Sequence, residues 1–415
     1  MDKLVKIKAI LSEYGQEHLL DFYSELSLGQ QENLLTQIES VNFELMQELY
    51  LKTVKRAGVE ESGITPITIT NSLELSGHLI AEYKTLGSNL MKEGKFAVVT
   101  MAGGQGTRLG CNGPKGIFDI GLPSHKSLFE IQCDRLKFAS KMAGIDINWY
   151  IMTSRENDLA TKDFFEKNNY FGYKRGCVDF FTQRMLPMLD LDGKIILEEK
   201  FRIREGADGH GGIFSAMQKS GVYSDICKKG IEWLFIGGID NVLIQLADPL
   251  FIGFAAASNC YAAGKSILKR DAYEKAGVFC RRNGHPSVVE YTEISSEMAE
   301  LRNDKDQFVY GDVHILCNIF NINIFKLIGD QGLPYHAACK KSEVIGKNGE
   351  RISPQEPNAY KFEAFIFDAF SFLEDLPVLR VKRETEFAPV KNKIGEDSPE
   401  TAREMLIKVE TERFI

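Results

Sequence analysis

The densest cluster of chemistry-bearing residues is Met101-Ala102-Gly103-Gly104-Gln105-Gly106-Thr107-Arg108-Leu109-Gly110, followed by Pro114-Lys115-Gly116. Glycines grouped at the end of an apolar run let the main chain approach a ligand closely, and the N–H groups of such a turn form a concavity for anions. Arg108 adds a forked cation and Lys115 a point charge near the same spot, a combination suited to a nucleoside triphosphate. No Gly-Lys-Ser/Thr follows at P-loop spacing, and Leu109 occupies the third glycine position of the dinucleotide fingerprint, so neither of those motifs is present. A plain glycine-rich turn is the alternative, and Thr107-Arg108 with Pro-Lys-Gly argues against it.

Such a loop needs a rigid support. Phe96 to Met101 is apolar nearly throughout and stops at the glycines, as a strand buried on both faces does. Helical spacing follows from Ser127 to Met142, an apolar run from Trp149 to Met152, and helical spacing again from Asn157 to Asn168, with Asn157 a candidate N-cap. This alternation predicts an α/β fold with a doubly wound sheet. Further strand candidates are 178–181, 195–197, 231–236, 266–268, 278–280, 288–291 and 315–319. Ahead of the sheet, apolar residues recur at helical spacing from Asp2 to about Val54, with Gly29 and Ser40 as local breaks. A connector of extended character covers 58–71, and a second helical stretch covers roughly 74–92. The expected partition is an N-terminal helical region at 1–94, a catalytic domain at 95–392 and a short C-terminal segment at 393–415.

At 415 residues, with 44% hydrophobic and 26% charged, the chain has the composition of an ordinary globular protein. A net charge of −8 argues against nucleic acid as the main partner, while a local group of cations and N–H groups can still bind a small anion. The eight cysteines form no Cys-x-x-Cys pair and no dense framework, which fits a reducing cytoplasm. The first residues do not read as a secretory signal, and no stretch approaches bilayer-spanning length, so no membrane partner is expected.

The glycine segment resembles the signature loop of the nucleotide-sugar pyrophosphorylases. Its continuation, Gly116-Ile117-Phe118-Asp119-Ile120-Gly121-Leu122-Pro123, is similar to the eukaryotic-type UDP-N-acetylglucosamine pyrophosphorylases in particular. The likeness runs collinearly through Met152-Thr153-Ser154-Arg155, Gln183-Arg184-Met185-Leu186-Pro187, Asp208-Gly209-His210-Gly211-Gly212, Ala247-Asp248-Pro249-Leu250, Val288-Val289-Glu290-Tyr291 and Glu386-Phe387-Ala388-Pro389-Val390-Lys391-Asn392. It implies a doubly wound mixed sheet of the nucleotide-diphospho-sugar transferase type and a uridylyltransferase joining UTP to a sugar 1-phosphate. N-acetylglucosamine 1-phosphate is the first expectation for that sugar. Relatives of this kind are longer, and most of their C-terminal domain is expected to lack a counterpart after Arg403.

The resemblance also implies roles. Gly103, Gly104 and Gln183, with Gly209, face the nucleotide, and a Gln amide can pair the imide N–H and carbonyls of uracil. Arg108, Lys115 and Lys391 bring positive charge to the reacting phosphates. Asp240 would hold Mg²⁺, or Mn²⁺, between phosphates, since a hard carboxylate suits a hard cation that keeps some waters. The turn of Gly209 and His210, with Gly277, Glu290 and Asn318, would hold the sugar. Bland alternatives stand beside these: Asp240 as the N-cap of a helix, Gln183 as a solvated polar residue, Lys391 as a surface lysine. No acid or base is assigned, because a sugar 1-phosphate is already an anionic nucleophile.

His210 stands where the N-acetylglucosamine branch has Asn, whereas UDP-glucose and broad-specificity UDP-sugar pyrophosphorylases carry Gly-His-Gly there. A UDP-glucose, UDP-galactose or broad-specificity enzyme is therefore the alternative within enzymes, and a UDP-sugar-binding sensor the alternative outside them. The pairs His314/Cys317 and His336/Cys339 have a zinc-like look, but residues three apart on a strand point to opposite faces, so zinc is not expected.

Overall fold

The computed structural model describes residues 3–55, 63–329 and 332–412. Contacts divide the chain into two compact units.

The first unit gathers 1–60, 184–212 and 333–366. Three helices open it, α1 (Lys3–Glu13), α2 (Leu28–Ser40) and α3 (Phe43–Lys55). Gly29 does not break the helical pattern as expected. It lies in the first turn of α2, whose start is set by a capping box in which the side chains of Ser27 and Gln30 each accept the other's backbone N–H. Ile7, Leu11, Leu34, Leu35 and Ile38 bury their helical stripe in one core with Leu186, Leu189, Ile195 and Phe362. A three-stranded sheet of Tyr335–Lys340, Ala359–Ala364 and Leu189–Asp190 completes that core. The strand expected at 195–197 falls instead at Leu197–Glu199, paired with Arg202–Ile203, and Ile195 makes only an isolated bridge to Leu189.

The second unit, 61–183, 213–332 and 367–415, is built on one eleven-stranded mixed sheet. In chain order its strands are β1 (Ile64–Thr65), β2 (Thr70–Asn71), β3 (Phe96–Met101), β4 (Asn148–Thr153), β5 (Val178–Thr182), β6 (Trp233–Gly238), β7 (Ala262–Leu268), β8 (Val278–Arg282), β9 (His285–Val289), β10 (Asp312–Asn321) and β11 (Val378–Arg380). The spatial order is β2-β11-β7-β10-β6-β3-β4-β5, with β8 carrying β1, β9 and part of β10. β6, β3, β4 and β5 are parallel, and β10 runs antiparallel between β6 and β7. All six residues of β3 are buried, as its unbroken apolar run predicts. The first part of the expected connector, 58–62, lies outside the described residues, and its second part supplies β1 and β2 to the sheet.

The principal helices of this unit are α4 (Gly77–Lys92), α5 (Leu128–Ala143), α6 (Asp158–Lys167) and α7 (Pro249–Ala257). α5 links β3 to β4 and α6 links β4 to β5, giving the crossovers that parallel strands need. α4 and α7 meet backbone to backbone: a Cβ on Gly253 would lie 1.8 Å from the Tyr83 carbonyl oxygen, and one on Gly87 2.0 Å from that of Pro249. No helix among the described residues is long and apolar enough to cross a membrane.

Candidate active site

In a parallel sheet the loops at the carboxyl ends of the strands are open for ligands. Met101 ends β3 and its register partner Gly238 ends β6, so the glycine loop and Asp240 leave the sheet at one edge. The Ile239 N–H donates to the Met101 carbonyl at 3.1 Å, fixing the two exits together. Beneath them, Trp149 Nε1 donates to Thr100 Oγ1 at 2.9 Å, Thr100 Oγ1 to Gln132 Oε1 at 2.9 Å, and Gln132 Nε2 to the Gly238 carbonyl at 3.0 Å. This buried chain ties β4, β3, α5 and β6 into one platform.

The glycine loop folds back on itself. Gly106 N–H donates to Gly113 O at 2.9 Å and Lys115 N–H to Gly104 O at 3.0 Å, which returns Lys115 beside the loop's start. Asn157 was expected to cap α6. It occupies the cap position without making a side-chain cap bond, because its amide is used on the loop. Nδ2 donates to the carbonyls of Ala102 (3.0 Å) and Gly104 (3.3 Å), and Oδ1 accepts from Ser154 N–H (2.8 Å). Packing requires glycine at 116, where a Cβ would fall 2.1 Å from the Phe129 ring, while a Cβ on Gly103 would lie 2.1 Å from Gln183 Oε1 and displace that amide. Gly103 and Gln183 are thus direct neighbours, whereas a Cβ at Gly104 would meet open space. Arg108 lies exposed in the short helical turn Thr107–Leu109.

Lys115 Nζ lies 3.3 Å from Asp240 Oδ2, with both side chains partly exposed at 17% and 27%. Burial pushes the Asp240 carboxyl upward, but the ammonium charges of Lys115 and Lys391 outweigh it and hold the group below the usual carboxylate range. The N-cap reading of Asp240 fails, since no helix starts at 241. The next helix, α7, takes Asp248 as its cap, with Leu250 N–H donating to Oδ1 at 3.0 Å. Lys391 comes to this place because Val390 N–H donates to the Asp240 carbonyl at 2.9 Å. No group of three or more His, Cys, Asp or Glu gathers as a metal cage among the described residues. One ionised carboxylate without a cage fits a Mg²⁺ whose remaining ligands come from phosphates and water.

Three of the expected sugar residues form a second group within this unit. A Cβ on Gly277 would lie 3.2 Å from Glu290 Oε1. The Gly277 carbonyl accepts from His314 N–H at 2.9 Å, and His314 Nε2 is 3.0 Å from Asn318 Oδ1. Glu290 was expected to end a strand; β9 stops at Val289, and Glu290 opens the following turn, its carbonyl accepting from Glu293 N–H at 2.8 Å. Asn318 is fully buried, and its Nδ2 has no hydrogen-bond partner among the described residues. His314 also packs edge-on against Phe279 and Phe370, and Cys317 is buried nearby on the same strand. His336 stacks on Phe365 in the first unit.

Gly209 and His210 belong to the first unit. Gly209 has φ +82°, and a Cβ there would lie 2.4 Å from the Ala364 carbonyl, so this turn requires glycine. His210 Nδ1 accepts the Ile366 N–H at 3.0 Å, which places the ring proton of the neutral imidazole on Nε2. Asn157 was singled out from sequence only as a helix cap, and Asn241 and Lys265 were given no role. A lysine inside the strand-like run 262–268 was the available signal for the last.

The sequence profile described as UTP–glucose-1-phosphate uridylyltransferase matches residues 41–397. The chain is 37% identical to the UDP-N-acetylglucosamine pyrophosphorylase of Saccharomyces cerevisiae, over 97% of this chain and 90% of that protein. It is 34% identical to the UDP-N-acetylglucosamine diphosphorylase 2 of Arabidopsis thaliana, over 97% and 82% respectively. The crystal structure of the uridine diphosphate N-acetylglucosamine pyrophosphorylase of Trypanosoma brucei superposes with a TM-score of 0.84 at 30% identity, covering 98% of this chain and 85% of that one. With a profile match across most of its length and relatives this similar end to end, the chain belongs to the UTP–glucose-1-phosphate uridylyltransferase family.

Proposed function

We propose that this protein transfers the uridylyl group of UTP to a sugar 1-phosphate, N-acetylglucosamine 1-phosphate foremost, releasing pyrophosphate. The observation that carries the reading is the Lys115–Asp240 pair at the carboxyl edge of β3 and β6, with Lys391 following Val390, whose N–H bonds the Asp240 carbonyl. The yeast, plant and trypanosome relatives, all named for UDP-N-acetylglucosamine, support the choice of sugar.

A phosphate oxygen of the sugar 1-phosphate forms a bond to the α-phosphorus of UTP as the bond to the bridging oxygen breaks, and that oxygen leaves with pyrophosphate. The nucleophile is already anionic, so the site supplies alignment and charge neutralisation without a general base. Gly103, Gly104 and Gln183 hold the uracil. Arg108 and Lys115 neutralise the departing pyrophosphate, and Lys391 steers the incoming phosphate. Asp240 would hold Mg²⁺, which when bound neutralises charge on the phosphates. Glu290 and Asn318 pair sugar groups, and an Asn318 Nδ2 without a partner among the described residues supports this, since a buried donor left unsatisfied is costly without a ligand acceptor.

His210 supports a second reading, use of glucose or galactose 1-phosphate, because the hexose-type relatives carry Gly-His-Gly at this turn. The unpaired cysteines support a reducing, cytoplasmic setting. A pyrophosphate-release assay with UTP and a panel of sugar 1-phosphates tests the proposal. Release with N-acetylglucosamine 1-phosphate is expected, and no release with any sugar 1-phosphate contradicts it.

A further inference from the structure

Lys265 lies within β7 with its side chain fully buried, an unusual place for an ammonium. Nζ is 2.8 Å from Asp248 Oδ2 and 3.0 and 3.1 Å from the two oxygens of Glu386, and it sits 5.2 Å from the centre of the Phe251 ring. Buried ion clusters of this kind are poor sources of stability, because desolvation offsets their attraction: an apolar replacement of the whole cluster is often as stable, whereas removal of one partner leaves buried charge unpaired and destabilises. What this one does is fix the place of Glu386, at the head of the segment that ends in Lys391.

Asn241 fixes the same segment from the other side. Its Nδ2 donates to the Glu386 carbonyl at 2.7 Å, and its Oδ1 accepts from Ala388 N–H at 2.9 Å and Leu243 N–H at 3.1 Å. Main-chain bonds extend the seam: Val242 N–H donates to Ala388 O at 3.1 Å and Val390 N–H to Asp240 O at 2.9 Å. Residues 386–390 are thereby zipped to 240–242. Asp240 heads one side of the seam and Lys391 leaves the other immediately beyond its last bond.

We infer that Lys265 and Asn241 are positioning residues, which fix where the chain delivers Lys391 beside the Asp240 main chain by clamping the 386–390 segment to β7 and to the turn after β6. Neither needs to touch substrate. The inference rests on the proposed phosphate-facing role of Lys391, and it adds the device that holds that lysine in register. A misplacement of the order of an ångström at reacting groups is worth up to about 100-fold in rate.

The test is a four-way cycle on the full chain, with wild type, Lys265→Met, Lys391→Ala and the double variant, measuring kcat, KM for UTP and thermal unfolding. Lys265→Met is expected to lower kcat by about 10- to 100-fold with KM for UTP changed less than about threefold. In the Lys391→Ala background the same substitution is expected to cost less than about twofold, because the group it positions is already gone. A merely structural lysine would cost the same factor in both backgrounds, and that result, or undiminished kcat in Lys265→Met, overturns the inference while leaving Lys391 in place. If Lys391→Ala turns over as wild type, the role of Lys391 fails, and the inference with it. Asn241→Ala disturbs no buried charge and carries the same expectation through the same cycle, so loss of folding in Lys265→Met leaves the inference open to refutation.

Discussion

Lys115 and Asp240 stand 3.3 Å apart where two strands end, and a point charge so placed acts mainly on charge that grows during transfer. Lys115→Ala is expected to lower kcat by about 10²- to 10³-fold while leaving the unfolding temperature near wild type, and steady-state kinetics beside a melting curve checks both halves. Wild-type turnover would remove Lys115 from the mechanism. The proposed role of His210 in sugar choice rests on its chemistry: with Nδ1 accepting the Ile366 N–H, an imidazole cannot present the donor and acceptor side by side that an Asn offers. His210→Asn is expected to shift the ratio of kcat/KM toward N-acetylglucosamine 1-phosphate over glucose 1-phosphate by about ten- to hundredfold, or about 1–3 kcal/mol. An unchanged ratio would show that His210 does not read the sugar. At this scale the sequence made the cations and the glycines legible, because their chemistry is unusual wherever they occur. The loop-tying roles of Asn157, read only as a helix cap, and of Asn241 were hidden, since an asparagine that ties down a loop fifty or more residues away has the same local signature as one in any turn.

Elements were legible where one period dominated. β3 is buried at every position and reads as an apolar run, and α5 and α6 show the helical spacing of one packed face. Boundaries failed where a side chain or a partner strand sets the end: Ser27 moves the start of α2 ahead of Gly29, and β9 stops at Val289. The contact between α4 and α7 was not legible, because Gly87 and Gly253 reveal their purpose only once the two helices are seen to cross. With a Cβ at Gly253 falling 1.8 Å from the Tyr83 carbonyl, Gly253→Ala must push the helices apart. The expected loss is about 1–3 kcal/mol, read as a lower denaturant midpoint, and an unchanged midpoint would mean the crossing relaxes freely.

At the scale of the whole molecule, the first unit draws on three stretches far apart in sequence, and helical periodicity in residues 3–55 gives no sign that Leu186, Ile195 and Phe362 complete its core. Local pattern reports which face is apolar and not what will cover it. The large sheet was easier, because strands and helices alternate along the chain and short crossovers leave few topologies open. Asp240 bears on the whole reaction as a lone carboxylate without a metal cage among the described residues. Activity is therefore expected to vanish on removal of divalent cations and to return with Mg²⁺, with no stoichiometric zinc in the purified protein by elemental analysis. Tightly held zinc whose loss abolishes activity would contradict this.

The most direct measurement of the central claim follows the phosphorus atoms of UTP. The protein is incubated with N-acetylglucosamine 1-phosphate, Mg²⁺ and UTP labelled in separate experiments at the α- or the γ-phosphorus. Uridylyl transfer predicts that the α-label appears in a UDP-sugar and the γ-label in pyrophosphate, in equal amounts. Release of the γ-label as orthophosphate, or its transfer to the sugar phosphate, would mean that the bond broken is not the one between the α- and β-phosphates, and the account would be wrong.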